Sequence, residues 1–158
     1  MTKRSILTFV LSLGIVLAAS YGTSAVAGDA GIIRVSSANS VKATADKMAS
    51  VLKSKGATVF ARVNHAAGAK KVGKELRPTV LLIFGNPKLG TPLMMKNQQM
   101  GLDLPLKALI YKAKDGKTYI AYNDPAYLSK RHGVKKPEKV FKKMAGILKN
   151  VTAAAGKK

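Results

Sequence analysis

The stretch that decides the fold is PTVLLIFGNPKLGTPLMMKNQQMGLDLPLKALIYKAKDGKTYIAYNDP, residues 78–125. Its opening run, Val80–Phe84, consists of apolar residues and is closed by Gly, Asn and Pro, which is typical of a strand buried on both faces. Further strands are predicted at Leu106–Lys112 and Thr118–Tyr122. Between them, Asp115-Gly116 predicts a hairpin with a two-residue type I′ turn, in which both central residues need a positive φ. This stretch therefore predicts the middle of a β-sheet.

Two cap-then-proline signals predict helices in the same stretch. Thr91-Pro92 offers a hydroxyl N-cap followed by proline at the first helical position, which predicts a short helix over Pro92–Met100. Asp124-Pro125 repeats the signal and predicts a second helix, which Gly133 ends.

The chain before this stretch predicts two strands and a helix. The strands are expected at Ile32–Val35 and Thr58–Val63, and the second alternates so that Val59, Ala61 and Val63 share one side. A helix from Ser40 to Gly56 presents one apolar stripe, made of Val41, Ala45, Met48 and Leu52. The connection 64–77 has weak periodicity.

The chain after this stretch predicts one long amphipathic helix from Pro137 to about Val151. Its polar side is rich in lysine, so it either packs on the sheet or lies on a membrane surface; the sheet needs such a cover, which favours packing. Residues Thr152–Lys158 are expected to form a disordered basic tail. The order of elements predicts a single two-layer α+β domain, with a sheet of about five strands covered by helices on one face. Strand order is not determined.

The N-terminus predicts export. Lys3 and Arg4 precede the apolar segment Ile6–Ala19, and Ala25-Val26-Ala27 is a small-x-small cleavage signal, so residues 1–27 are expected to be a secretory signal peptide cut after Ala27. The alternative, an uncleaved anchor, is disfavoured because the segment falls short of the ~20 apolar residues that span a bilayer. We expect a periplasmic or secreted protein whose domain covers residues 28–151.

Composition excludes some classes of function and opens others. The absence of cysteine excludes disulfides, thiol catalysis and thiolate metal sites. The chain has 28 Lys and Arg residues against 7 Asp and Glu, a formal net charge of +21. Such a surface attracts anionic polymers and membranes, although no motif predicts a specific nucleic-acid partner. The alternative is a solvated basic surface without a partner.

Polar residues at predicted strand ends suggest a small-ligand pocket. If the strands before Asn86 and Asp124 run the same way, their ends meet at one edge of the sheet. The pocket is expected to be lined by His65, Asn86, Asp103, Tyr122 and Asp124, with Lys107 as an ion-pair partner of Asp103. The alternative is that the Asn and Asp residues only cap helices and end loops, and that Asp103 forms a buried structural ion pair.

The candidates for metal binding carry weak signals. His65 and His132, with Asp103 or Asp124, could form a two-His, one-carboxylate site. The alternative is a hydrogen-bonded His65 and a His132 favoured by a helix dipole. The methionines Met94, Met95 and Met100 could bind copper(I), or fill the core or a dimer interface. No cofactor is predicted, no common hydrolase or phosphate-loop motif is present, and no catalytic residue is assigned.

Several phrases occur together in an order that composition does not explain. They are Asn64–Gly68, Glu75–Thr79, Phe84–Pro87 with Gly90–Met94, Gly101–Lys107 and Tyr122–Pro125. In these five phrases the chain resembles the family known as domain of unknown function 302. The resemblance implies a compact α+β fold, often dimeric, found both alone in exported proteins and inside larger ones, with no established activity. Lys112-Ala113-Lys114 departs from the family, where acidic residues are common.

These observations predict an exported, non-catalytic, homodimeric module that binds a small ligand or serves in a stress response. One alternative is an electrostatic protein that binds an anionic polymer or membrane surface. Another is a metal-binding protein or an enzyme of unknown reaction.

Overall fold

The computed structural model describes the backbone of Val26–Ala27 and residues 31–158. Apart from that dipeptide, the predicted signal peptide lies outside the described residues. Export therefore stays a prediction.

The described chain forms one antiparallel sheet covered by helices. Its strands are β1 Val26–Ala27, β2 Ile32–Ser37, β3 Thr58–Asn64, β4 Thr79–Gly85, β5 Leu106–Lys112 and β6 Thr118–Asn123. Its helices are α1 Val41–Ser54, α2 His65–Lys71, α3 Pro87–Met94, α4 Pro125–Arg131 and α5 Glu138–Gly156, with a 3-10 helix at Gln98–Leu102. The strand order is β1-β2-β6-β5-β4-β3, and every pair is antiparallel. This confirms the predicted single two-layer α+β domain, with five full strands and one short edge strand.

The main core lies between the sheet and the pair α1 and α5. Ser40 caps α1 by accepting a hydrogen bond from the amide of Ala43, as its position before the apolar stripe predicts. The predicted stripe Val41, Ala45, Met48 and Leu52 is buried. It packs with the inward residues of the central strands and with Leu148 and Val151 of α5. Burial of this apolar surface is the main stabilising term of the domain.

β4 is covered on only one face. Val80, Leu82 and Phe84 are buried under the helices, whereas Leu81 and Ile83 on the opposite face are partly exposed. The prediction of a strand buried on both faces is therefore wrong for the single chain, because the described residues place no second layer over this side.

β3 contains a bulge that breaks its predicted alternation. Val59 pairs with Phe84, but the next pair is Ala61 with Ile83, so Phe60 is an extra residue. Val59 therefore lies on the helix side, and Ala61 lies on the open side. The side chain of Phe60 is left 54% exposed at the end of the sheet where β4 finishes.

The helix predicted at Pro92 begins five residues earlier. Asn86 caps it by accepting from the amide of Lys88, and Pro87 occupies the first turn. Asn86-Pro87 is itself a cap-then-proline signal, and it comes first along the chain. Pro92 then lies inside α3, and the helix ends at Met94 before the 3-10 helix.

The hairpin between β5 and β6 does not have the predicted type I′ turn. Gly116 donates to the carbonyl of Ala113, and Ala113 donates to that of Lys117. Gly116 has φ +77°, and no other residue of this loop has a positive φ. The connection is therefore a three-residue loop with glycine in the left-handed position.

The predicted disordered tail is helical over most of its length. α5 continues to Gly156, and Thr152, Ala155 and Gly156 are buried. Asn39 donates to the carbonyls of Ala155 and Lys157, so the helix end is tied to the loop after β2. The prediction of a frayed tail is wrong because these contacts satisfy the terminal carbonyls. Among the described helices, none is long and apolar enough to cross a membrane.

Candidate functional site

One end of the sheet collects the ends of several strands. β4 and β6 both pair antiparallel with β5, so they run in the same direction and finish at the same end of the sheet. Asn86 follows β4, and Asp124 follows β6. Each side chain accepts a hydrogen bond from a helix amide, Asn86 from Lys88 and Asp124 from Ala126. Both residues are therefore helix caps at this end.

An apolar cavity of about 350 Å³ lies at this end, between α3 and the sheet. α3 forms one wall, the segment before β5 forms another, and the bulged residue of β3 stands at the sheet side. The lining residues are Phe60, Gly85, Asn86, Pro87, Leu89, Gly90, Thr91, Met94, Gly101, Leu104, Pro105, Leu106 and Met144. No ionisable side chain is among them.

Glycines help to keep the cavity open. A Cβ on Gly90 would lie 3.7 Å from Leu104 Cδ1 and 3.8 Å from Met94 Cε, and a Cβ on Gly101 would lie 3.8 Å from Met94 Sδ. Larger side chains at either position would therefore occupy space along the walls. Behind the cavity lies a second apolar cluster that includes Leu93, Met100 and Met144, which supports its floor.

The two polar lining residues differ in what they can offer a ligand. Asn86 already uses both ends of its amide, because Oδ1 accepts from Lys88 and Nδ2 donates to the carbonyl of Gly56 at 2.9 Å. Thr91 is exposed at the mouth. Thr91 and Met94 also line an adjoining open depression, whose other residues are Met95, Lys96 and Gln98. The apolar cavity thus continues into a more polar, open depression that contains one lysine.

The structure does not gather the predicted site residues into one cavity. Only Asn86 lines the apolar cavity. Asp124 lines a separate cleft of about 260 Å³ beside α5, and Tyr122 is buried under the helices. Burial raises the pKa of the Tyr122 hydroxyl, which keeps this side chain neutral.

His65 is the most distant of the predicted set. It follows β3 and begins α2, whereas Asn86 follows β4, which is antiparallel to β3. The two residues therefore lie at opposite ends of the sheet, about 20 Å apart at ~3.3 Å per strand residue. The sequence cannot show this separation, because the direction of β3 relative to its neighbours depends on strand pairing.

Asp103 is buried, and its side-chain partners differ from the one predicted. Its Oδ2 lies 2.7 Å from His132 Nε2 and 3.4 Å from Arg131 Nη1, and the side chains of Asp103 and His132 are 8% and 5% exposed. Lys107 instead donates to the carbonyl of Leu102 at 3.2 Å. The Asp103–His132 pair joins the segment before β5 to the end of α4.

The candidate metal ligands are dispersed. In the described part of the chain, no group of three or more His, Cys, Asp or Glu side chains could hold a metal ion. The two-His site proposed from the sequence is wrong because His65 lies at the far end of the sheet from His132. The methionines also separate: Met100 is fully buried, Met95 is 80% exposed, and Met94 lines the cavity.

Most of the cavity was not predicted from the sequence. Its apolar wall residues, such as Leu89, Leu104 and Met144, have the pattern of ordinary core residues. The available signal is the glycine series Gly85, Gly90 and Gly101 within a segment dense in apolar residues. Glycines at such positions leave room beside a packed wall.

Comparison with solved structures shows a similar fold. The chain matches the crystal structure of an uncharacterized conserved DUF302 protein from Bacillus stearothermophilus with a TM-score of 0.72 and 19% identity, over 79% of this chain and 98% of that chain. At this identity, the match speaks for the fold alone.

Comparison with curated proteins finds relatives that are much longer. The chain is 47% identical over 106 residues to fluoride-specific ion channel FluC 1 of Brucella suis biovar 1 (strain 1330), covering 67% of this chain and 42% of that protein. It is equally similar to FluC 1 of Brucella abortus biovar 1 (strain 9-941) and to FluC 2 of Brucella melitensis biotype 1, covering 39% of each. The chain thus spans about two fifths of the length of these relatives.

The family assignment rests on the match to the family profile of the domain of unknown function DUF302. The profile matches residues 33–151, from β2 into the last turns of α5. The resemblance noted in the sequence is confirmed over the whole sheet except its short edge strand. The chain therefore belongs to the DUF302 family.

Proposed function

We propose that the protein is an exported, non-catalytic module that binds a small, largely apolar molecule in the cavity beneath α3. The observation that carries this proposal is the cavity of about 350 Å³, which is open to solvent yet has almost wholly apolar walls. Ligand sites in proteins are typically apolar concavities of roughly 300–1,000 Å³ with a few polar groups. The cavity falls at the small end of that range.

The chemistry of the lining supports binding rather than catalysis. Acid–base and nucleophilic catalysis need a titratable or activated side chain within hydrogen-bond reach of the reacting atom. The lining offers only the amide of Asn86, which is engaged as a helix cap, and the hydroxyl of Thr91. The Asp103–His132 pair is buried apart from this lining, so it supports a structural role.

The proposal is tested with a neutral fluorescent probe, N-phenyl-1-naphthylamine, titrated into the purified protein. We expect saturable binding by the native chain and a loss of at least tenfold in affinity for Gly90→Leu, whose side chain would fill the cavity. Gly146→Leu is the matched control, because Gly146 lies on an exposed part of α5, and a Cβ placed there would have no atom within 4 Å. Equal binding by both variants would place the site elsewhere.

A second candidate is an electrostatic role at an anionic membrane or polymer surface. Carboxylate ion pairs among the described residues involve only Lys42, Arg62, Arg131, His132 and Lys142, so most of the cationic surface is available to anions. The curated relatives, of whose length the chain spans about two fifths, are named fluoride-specific ion channels, and an ion channel lies in a membrane. The role predicts retention on vesicles with phosphatidylserine that is lost at high salt. Retention on neutral vesicles would argue against it.

Export and a homodimer belong to the same proposal. Export predicts that the protein recovered from the periplasm or the medium begins at Gly28, which N-terminal sequencing measures directly. The homodimer is supported by the uncovered face of the sheet, where Leu81, Ile83 and Leu109 are only partly buried in the single chain. β4 is a long apolar strand with one uncovered face. This favours a dimer in which another copy of the chain supplies the second layer.

A further inference from the structure

We infer that the ligand of the cavity is a single-chain anionic amphiphile, such as a medium-chain carboxylate. This inference rests on the proposed function and adds the class of ligand. The apolar chain of this ligand lies in the cavity beneath α3, and its anionic headgroup lies in the adjoining depression. The two regions share Thr91 and Met94, so one molecule can span both.

The size of the cavity sets the length of the chain. A water molecule takes roughly 30 Å³ in the liquid, and a methylene group is of similar size, so a volume of about 350 Å³ takes about a dozen groups. A chain of eight to twelve carbons therefore fills it. Met94, with its flexible thioether, borders both regions and can adapt its conformation to the chain that passes it.

The charge of the adjoining depression sets the sign of the headgroup. Lys96 and Gln98 line this depression together with the Thr91 hydroxyl, and no carboxylate lines either region. Lys88 lies on α3 between two lining residues, and the Lys107 ammonium donates to the carbonyl of Leu102, one residue beyond the lining residue Gly101. A headgroup in the depression therefore meets the Lys96 ammonium and the Thr91 hydroxyl, and it meets no carboxylate among the lining residues.

The test compares linear carboxylates of six to fourteen carbons with the alcohols of equal length, by calorimetry on the folded chain. Each methylene buried adds about fourfold in affinity, so affinity should rise steeply with length and level off near ten to twelve carbons. The carboxylates should bind about three- to tenfold more tightly than the alcohols. Salt at 0.5 M should remove that preference and leave the alcohols unchanged.

Two variants separate this inference from the proposed function. Lys96→Gln should lower carboxylate affinity about threefold and leave alcohol affinity unchanged, whereas Lys149→Gln, which removes the same charge from the exposed side of α5, should change neither. Alcohols that bind as tightly as carboxylates would overturn the anionic headgroup and leave the cavity as the site. Failure of both series to bind would overturn the proposed function itself.

Discussion

At the scale of single residues, the structure assigns different tasks to side chains that look alike in the sequence. Asn86 and Asp124 both end strands and both cap helices, but only Asn86 lines the apolar cavity. Asp103 contacts His132 and Arg131 and does not line the cavity. Sequence reasoning selected polar residues for the site, because polar groups can carry chemistry. The cavity is instead built mainly from apolar residues and glycines, which in a sequence cannot be distinguished from core residues.

Gly156 is a residue at which close packing leaves no room for a side chain. A Cβ there would lie 2.9 Å from the carbonyl oxygen of Ser36, which is fixed in β2. We expect Gly156→Ala to lower the free energy of unfolding by about 1–3 kcal/mol, because backbone must shift to admit the methyl group. Gly146→Ala, on an exposed part of the same helix, should raise it by up to about 1 kcal/mol. Urea denaturation measures both; an unchanged Gly156→Ala would show that the end of α5 is not docked on β2.

The interaction between Asp103 and His132 can also be measured, through the stability of substituted chains. Removing one partner leaves the other buried and less well satisfied, so His132→Ala should lower the free energy of unfolding by about 1–3 kcal/mol. The coupling between the two residues is obtained from a double-mutant cycle with Asp103→Ala. Additive effects of the two substitutions would contradict a direct interaction.

At the scale of elements, local sequence signals predicted the positions of most strands and helices. The remaining features depend on contacts between elements that are distant in the chain. Ser40, Asp124 and Gly133 mark helix ends where the sequence predicted them. The bulge at Phe60 was not predictable, because it arises from the register between β3 and β4. The extension of α5 depends on contacts with the loop after β2, more than a hundred residues away in the chain.

The ion pair between Asp46 on α1 and Arg62 on β3 should make the free energy of unfolding depend on pH. Arg62 on β3, and then Lys42 on α1, lower the pKa of the Asp46 carboxyl through hydrogen bonds and charge. The stabilisation is therefore fully present above the unfolded-state pKa near 3.8, and it is lost as pH falls through the lower folded-state pKa. The pair is partly exposed, so its contribution at neutral pH is about 0.2–1 kcal/mol.

Asp46→Asn should accordingly lower the free energy of unfolding by that amount at pH 7 and by less at pH 2, because the carboxyl loses its charge as pH falls through its lowered folded-state pKa. Urea denaturation at the two pH values measures the difference. High salt should reduce the effect at pH 7. A larger effect at acidic than at neutral pH would contradict the assigned interaction.

At the scale of the whole molecule, the described residues leave one face of the sheet uncovered, where Leu81, Ile83 and Leu109 are partly exposed, and the chain carries a net charge of +21. If two copies pack through this face, the buried leucines and isoleucines favour association and the like charges oppose it. Added salt screens the repulsion and should therefore strengthen the dimer. Light scattering at low and high salt measures the mass. Leu81→Lys, at the centre of the face, should give a monomer at both salt concentrations, and a monomeric native chain at every salt concentration would contradict the proposed dimer.

The central claim is that the cavity beneath α3 is the ligand site, and the methionine methyl groups report on it directly. Met94 and Met144 line the cavity, whereas Met48 lies in the core between α1 and the sheet. With methyl-labelled methionine, NMR titration with decanoate should shift the signals of Met94 and Met144 and leave Met48 unchanged. Saturable binding that leaves Met94 and Met144 unshifted would contradict the claim.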